Sequence, residues 1–88
     1  MTIWKFQLQI VDCIEVDMPR GAVVLCVQVQ SGTPCLWCLV EPSNKIETRK
    51  FRIYGTGHPI ERNIPRIYIG TVQVGGGSLV FHVFEEQF

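Results

Sequence analysis

Charge is scarce in this chain. Asp, Glu, Lys and Arg make up 18% of its 88 residues and sum to zero, against roughly a quarter of residues charged in average usage. With 47% apolar residues the composition excludes a disordered chain. It suits a folded domain that buries an apolar surface in a partner or in a copy of itself. The zero net charge and the lack of an extended basic face tell against general nucleic-acid binding. Long apolar runs are missing too. None approaches the ~20 residues a membrane-spanning helix needs, so no membrane partner is expected. No basic segment followed by an apolar core and a small-residue cleavage site opens the chain, and the expected location is the cytosol. A sustained 3.6-residue hydrophobic period is absent, which excludes a helical bundle.

What is present is period two. Trp4, Phe6, Leu8 and Ile10 alternate with Lys5, Gln7 and Gln9, a half-buried strand. After a short turn at Val11-Asp12, Ile14, Val16 and Met18 alternate with Glu15 and Asp17. Two strands so close together read as a hairpin. Pro19-Arg20-Gly21 is a turn, and Ala22–Gln30 is a third strand with Val23, Leu25, Val27 and Val29 on its buried face. Its valines argue against a helix there. Ser31-Gly32-Thr33-Pro34 turns the chain into Cys35–Val40, apolar on both faces and therefore central in a sheet, with Trp37 in the core. Glu41-Pro42-Ser43-Asn44 is a loop. Thr48–Tyr54 carries Phe51 and Ile53 on one face and Lys50, Arg52 and Tyr54 on the other. Gly55–Pro65 is irregular. Arg66–Val74 and a last strand with Leu79, Phe81 and Val83 inward flank Gly75-Gly76-Gly77, a hairpin connection. The pattern predicts one all-β domain over residues 1–88, a small antiparallel sandwich or barrel of about seven strands.

The charges are unevenly placed. Between Lys45 and Arg66 stand six basic residues and two acids; elsewhere Lys5 and Arg20 face six acids. Such asymmetry can draw an anion to one end of a molecule, though the plainer reading is two solvated faces. The basic segment brackets Tyr54-Gly55-Thr56-Gly57-His58-Pro59. Gly55 and Gly57 permit unusual backbone conformations, so their N–H groups can form a concave anion nest beside Thr56 and His58. Arg52 and Tyr54 leave the same strand face, where they can hold a phosphate and stack on a ring. A small anionic ligand such as a nucleotide is one reading of Arg52, Tyr54, Gly55, Thr56, Gly57 and His58. The other is a tight turn that needs glycine, with Thr56 and His58 bonding nearby backbone. No Gly-Lys-Ser/Thr follows, so the loop is not a P-loop.

Other chemistry is poorly supported. Cys35-Leu36-Trp37-Cys38 is a lone Cys-x-x-Cys whose sulfurs, on a strand, point to opposite faces and cannot chelate one zinc. With Cys13 and Cys26 these cysteines are expected free and mostly buried in a reducing cytosol. His58 and His82 have no acid or oxyanion hole placed beside them, so no catalytic residue, metal or cofactor is expected. Phe84 and Phe88 fall where an apolar side chain can dock on a partner, or simply seal the end of the barrel.

The stretches Ile3-Trp4-Lys5-Phe6, Val27-Gln28-Val29-Gln30, Pro34-Cys35-Leu36-Trp37, Phe51-Arg52-Ile53-Tyr54-Gly55-Thr56-Gly57-His58-Pro59-Ile60 and Leu79-Val80-Phe81-His82-Val83-Phe84-Glu85 carry a resemblance over nearly the whole chain. It resembles a family of small proteins of unknown function encoded by bacteriophages and prophages. The resemblance implies no activity. It implies a context: a phage accessory protein in a bacterial cytoplasm, of the kind that acts on a host defence or regulatory protein. The residues weighed above favour binding over catalysis, and the apolar composition suits self-association. A minor part of the virion is a weaker expectation.

Overall fold

The computed structural model describes residues 1–87, and Phe88 lies outside the described residues. Seven strands run β1 (Thr2–Gln7), β2 (Cys13–Pro19), β3 (Val23–Gln30), β4 (Thr33–Val40), β5 (Ile46–Gly55), β6 (Arg66–Val74) and β7 (Leu79–Glu86). They form a three-stranded sheet, β1-β4-β3, and a four-stranded sheet, β2-β5-β7-β6. Every pairing is antiparallel. The all-β expectation holds, and β4, apolar on both faces, is the centre of its sheet.

The inner faces meet in one apolar core. Leu36, Cys38 and Val40 of β4 enter it from one sheet, and Val16, Phe51, Ile53, Val72 and Val83 from the other. Fully burying a side chain of this size stabilises by about 1.5–3 kcal/mol, so this seam is the main force joining the sheets.

The expected β1–β2 hairpin is not formed. β1 pairs with β4, and β2 with β5, in different sheets. Period two says that a strand is half-buried; it does not name its partner. The strand also ends early, at Gln7. Leu8 turns into the core, its N–H donating to the Pro34 carbonyl at 2.9 Å, and Val11 N–H closes on Gln9 O at 3.0 Å. That three-residue turn leaves Ile10 exposed and carries the chain across to the second sheet. The turn after β3 is also shorter than expected. Ser31 (φ 51°) and Gly32 (φ 79°) form a two-residue connection of the kind that matches strand twist, and Thr33 and Pro34 already belong to β4.

Two bulges redirect side chains. In β3 the register slips between Val24 and Cys26. Leu25 is the extra residue, so Val24 and Val27 face the core while Val23 and Leu25 are 52% and 50% exposed. The expected continuous buried face from Val23 to Val29 is therefore broken in its first half. Trp37, expected in the core, alternates with buried Leu36 and Cys38 and so faces outward, half-buried, with Lys5 Nζ 5.9 Å from its ring centre. In β6 the slip lies between Tyr68 and Gly70. There β6 packs against β3: a Cβ on Gly70 would sit 2.7 Å from Val27 Cγ1. Since Val27 is buried, Gly70→Ala should lose about 2 kcal/mol by overpacking. Urea denaturation checks this, and adding Val27→Ala should make the Gly70 substitution far less damaging on its own account.

The basic residues of β5 meet acids in space. Basic β5 lies between acidic β2 and the acidic end of β7. Thr48 Oγ1 donates to Asp17 at 2.6 Å, and Lys50 stands opposite Glu15. Arg49 points inward with Phe51. Its Nε and Nη2 donate to Glu85 at 2.6 and 2.8 Å, and Nη1 donates to the Ala22 carbonyl. The ion pair thus joins β5 to β7 within one sheet, and the bond to Ala22 reaches the chain entering β3 of the other.

Candidate functional site

The outer face of the four-stranded sheet carries the polar and aromatic residues that the sequence brings together on β5. Alternation sends Arg52 and Tyr54 outward while Phe51 and Ile53 go in. Register places Phe84 beside Arg52, His82 beside Tyr54, and Tyr68 and Thr71 beyond them on β6. The rings of Tyr54 and Tyr68 meet Phe84 edge-on at 5.7 and 5.4 Å. The Arg66 guanidinium lies 5.9 Å from the Tyr54 ring centre and 5.8 Å from that of Phe84, a cation over aromatic faces. Phe84 is thus a member of this cluster rather than a free docking side chain.

Arg52 is held between carboxylates. Its Nε donates to Glu86 at 2.5 Å, and its Nη1 lies 3.7 Å from Glu61. The Tyr54 hydroxyl donates to the other Glu61 oxygen at 2.8 Å. Burial, then this contact with Glu61, pushes the Tyr54 phenol above its ordinary pKa. The Glu61 carboxyl is held below its ordinary range by its own backbone N–H and by the Tyr54 hydroxyl.

The glycine loop is a tight turn. His58 N–H donates to Gly55 O at 3.1 Å, with Gly57 at φ 84°. Thr56 N–H donates to Val80 O at 3.3 Å. The engaged amides belong to Thr56 and His58, the neighbours of the Gly55 and Gly57 amides expected to form the nest. The His58 ring rests on Gly55, where a Cβ would lie 2.8 Å from ring atoms, and it borders a hollow on each side. The larger, about 370 Å³, is lined by Arg52, Tyr54, His58 and Pro59, and also by Ile53, Asp12 and Glu61. The smaller, about 270 Å³, takes in Gly55, Thr56 and the start of β7.

Of the residues singled out from sequence, Arg52, Tyr54 and His58 converge on one hollow, with Gly55 beneath the His58 ring. Thr56 goes elsewhere. Its hydroxyl meets His82 Nε2 at 2.7 Å, and His82 Nδ1 meets Thr71 at 2.9 Å, so both ring nitrogens are engaged by hydroxyls. Gly57 shapes the turn without lining either hollow. Asp12 and Glu61 were not singled out. No local signal marks them: Asp12 follows a turn between sheets, and Glu61 sits in an irregular stretch.

The cysteines are free, as expected, but only Cys35 and Cys38 are buried; Cys13 is exposed and Cys26 half-buried. Burial pushes the Cys38 thiol up to about 11, so it stays neutral and inert at neutral pH. Among the described residues no three His, Cys, Asp or Glu side chains cluster as metal ligands.

A family description, Domain of unknown function (DUF7352), matches residues 1–88. The chain belongs to that family. No curated protein and no solved structure matches it.

A second surface also stands out. On the outer face of the three-stranded sheet, Ile3, Leu39 and Val23 lie side by side in one row across all three strands. Lys5, Trp37 and Cys26 form the next row, with Leu25 bulging beside them. Ile3, Val23 and Leu25 are each at least half exposed. Among the described residues β1 pairs with β4 alone, which leaves one edge of β1 open.

Proposed function

We propose that the protein is a non-catalytic accessory protein of a bacteriophage that acts by protein–protein contact in the bacterial cytoplasm, on a host defence or regulatory factor. The observation that carries the contact is the apolar row Ile3–Leu39–Val23 with Trp37 and Leu25. A contiguous apolar patch on a sheet face is what protein partners bury, and isolated exposed apolar side chains would not carry the argument. The open edge of β1 adds backbone groups that an extended partner segment can pair with. The phage and host context rests on the sequence resemblance carried by the Phe51–Ile60 stretch and its companions. A second copy of the chain is the competing occupant of the same face.

The test is co-purification of tagged protein from bacterial cells, comparing the natural chain with Leu25→Glu. Leu25 is half exposed, so the substitution should leave the melting temperature nearly unchanged. The expected result is one host protein retained by the natural chain and lost from the variant. The same protein retained equally by both would overturn the proposal. Sedimentation of the purified chain separates self-association from host contact.

A further inference from the structure

We propose that Arg52 and Tyr54 form a binding site for a carboxylate ligand, and that Glu61 occupies it from within the chain. The two halves of the contact differ in how they are held. Arg52 and Tyr54 stand on β5, hydrogen-bonded on both sides by β2 and β7. Tyr54 is buried, and its ring is packed by Phe84 and Arg66. Glu61 stands in the connection between β5 and β6, outside any strand, with its side chain 52% exposed.

The fit is good at one atom and poor at the other. Tyr54 OH reaches Glu61 Oε2 at 2.8 Å, a full hydrogen bond, but Arg52 Nη1 remains 3.7 Å from Oε1. A guanidinium carries five N–H donors, and Glu86 takes the one on Nε. Donors on the terminal nitrogens are left for a carboxylate that approaches without the tether of residues 55–65. The hollow of about 370 Å³ that opens beside them gives room for the body of a small ligand against Ile53, Pro59 and the His58 ring.

The surrounding charge selects the class. Asp12 lines the same hollow, and Glu86 already engages Arg52. Two standing carboxylates oppose a doubly charged phosphate more than a singly charged carboxylate. The ligand is therefore a monocarboxylate with a small apolar body, either a free acid or the carboxyl terminus of a peptide. Because Glu61 competes from within the chain, the natural protein binds such a ligand weakly. Its apparent affinity is reduced by the fraction of molecules in which the site is filled.

The test is an NMR titration of ¹⁵N-labelled protein with propionate, with a short peptide ending in a free carboxylate, and with inorganic phosphate. Glu61→Ala should bind propionate or the peptide about tenfold more tightly than the natural chain, since it removes a competitor held by a charge-assisted hydrogen bond. The stronger of the two names the source. Adding Arg52→Gln should remove the binding. Should that variant unfold through loss of the Glu86 contact, Tyr54→Phe, which deletes only the hydroxyl, should weaken binding in the Glu61→Ala background. Equal affinity in the natural chain and Glu61→Ala would overturn the proposal. So would binding that survives Arg52→Gln and Tyr54→Phe, or phosphate binding tighter than either carboxylate.

Discussion

Arg49→Ala is expected to lower the stability of the protein by about 3 kcal/mol, near the lower end for breaking an ion pair out of water. Arg49 and Glu85 are only 17% and 13% exposed, and two N–H···O bonds join them. Removing the arginine leaves a carboxylate among Phe51, Ile67 and the core, and it orphans the Ala22 carbonyl. For a domain of this size the loss corresponds to a drop in melting temperature of about 12–24 °C. The double variant Arg49→Met/Glu85→Leu should recover much of it, because two apolar groups of similar shape leave nothing unpaired. A thermal melt of the natural chain, both single variants and the double variant closes the cycle. If the two single losses simply add in the double, Arg49 and Glu85 are not energetically coupled and the ion pair is not a stabilising contact.

Phe51→Ala should do more. Phe51 is wholly buried on central β5, between Ile14 on β2 and Glu85 on β7. Truncating a buried phenylalanine costs about 3–5 kcal/mol. A chain this short has a total stability on the order of 4–13 kcal/mol. The variant is therefore expected to be largely unfolded at 37 °C or to melt well below the natural chain. Circular dichroism with urea denaturation reads it directly. Phe51→Leu, which keeps most of the apolar contact, should cost less than half as much. A Phe51→Ala protein that melts within a few degrees of the natural chain would place the core elsewhere.

The strands were legible in the sequence because each carries a period of two or an unbroken apolar run, and the β6–β7 hairpin because three glycines mark it. Strand partners were not legible. Val11-Asp12 reads as a hairpin turn after a strand that runs to Ile10, yet Leu8 is anchored in the core past the end of β1 and the chain changes sheets. Bulges were equally silent. Nothing in Val23-Val24-Leu25-Cys26 announces an extra residue, so Val23 and Leu25 read as core when they are surface. The outcome for charge has the same cause. A basic strand in sequence is matched by acids once antiparallel pairing sets Asp17, Glu15, Glu85 and Glu86 beside it. At the hollow, Arg52 and Tyr54 were legible from alternation alone. Asp12 and Glu61 were not, since both reach the hollow through connections whose path no periodicity encodes.

The two outer faces make different claims on function. The four-stranded sheet shows a polar, aromatic and internally bonded face with a small hollow. The three-stranded sheet shows apolar side chains with no covering among the described residues. The contact account rests on the second. Its most direct test is photocrosslinking in bacterial cells, with a photoreactive phenylalanine analogue placed at position 25 or, separately, at position 68. Both positions are at least half exposed, so neither is favoured by access. The account predicts a covalent adduct with a host protein from position 25 and none from position 68. An adduct from position 68 alone would contradict it and move the contact to the Tyr54–Phe84–Tyr68 face.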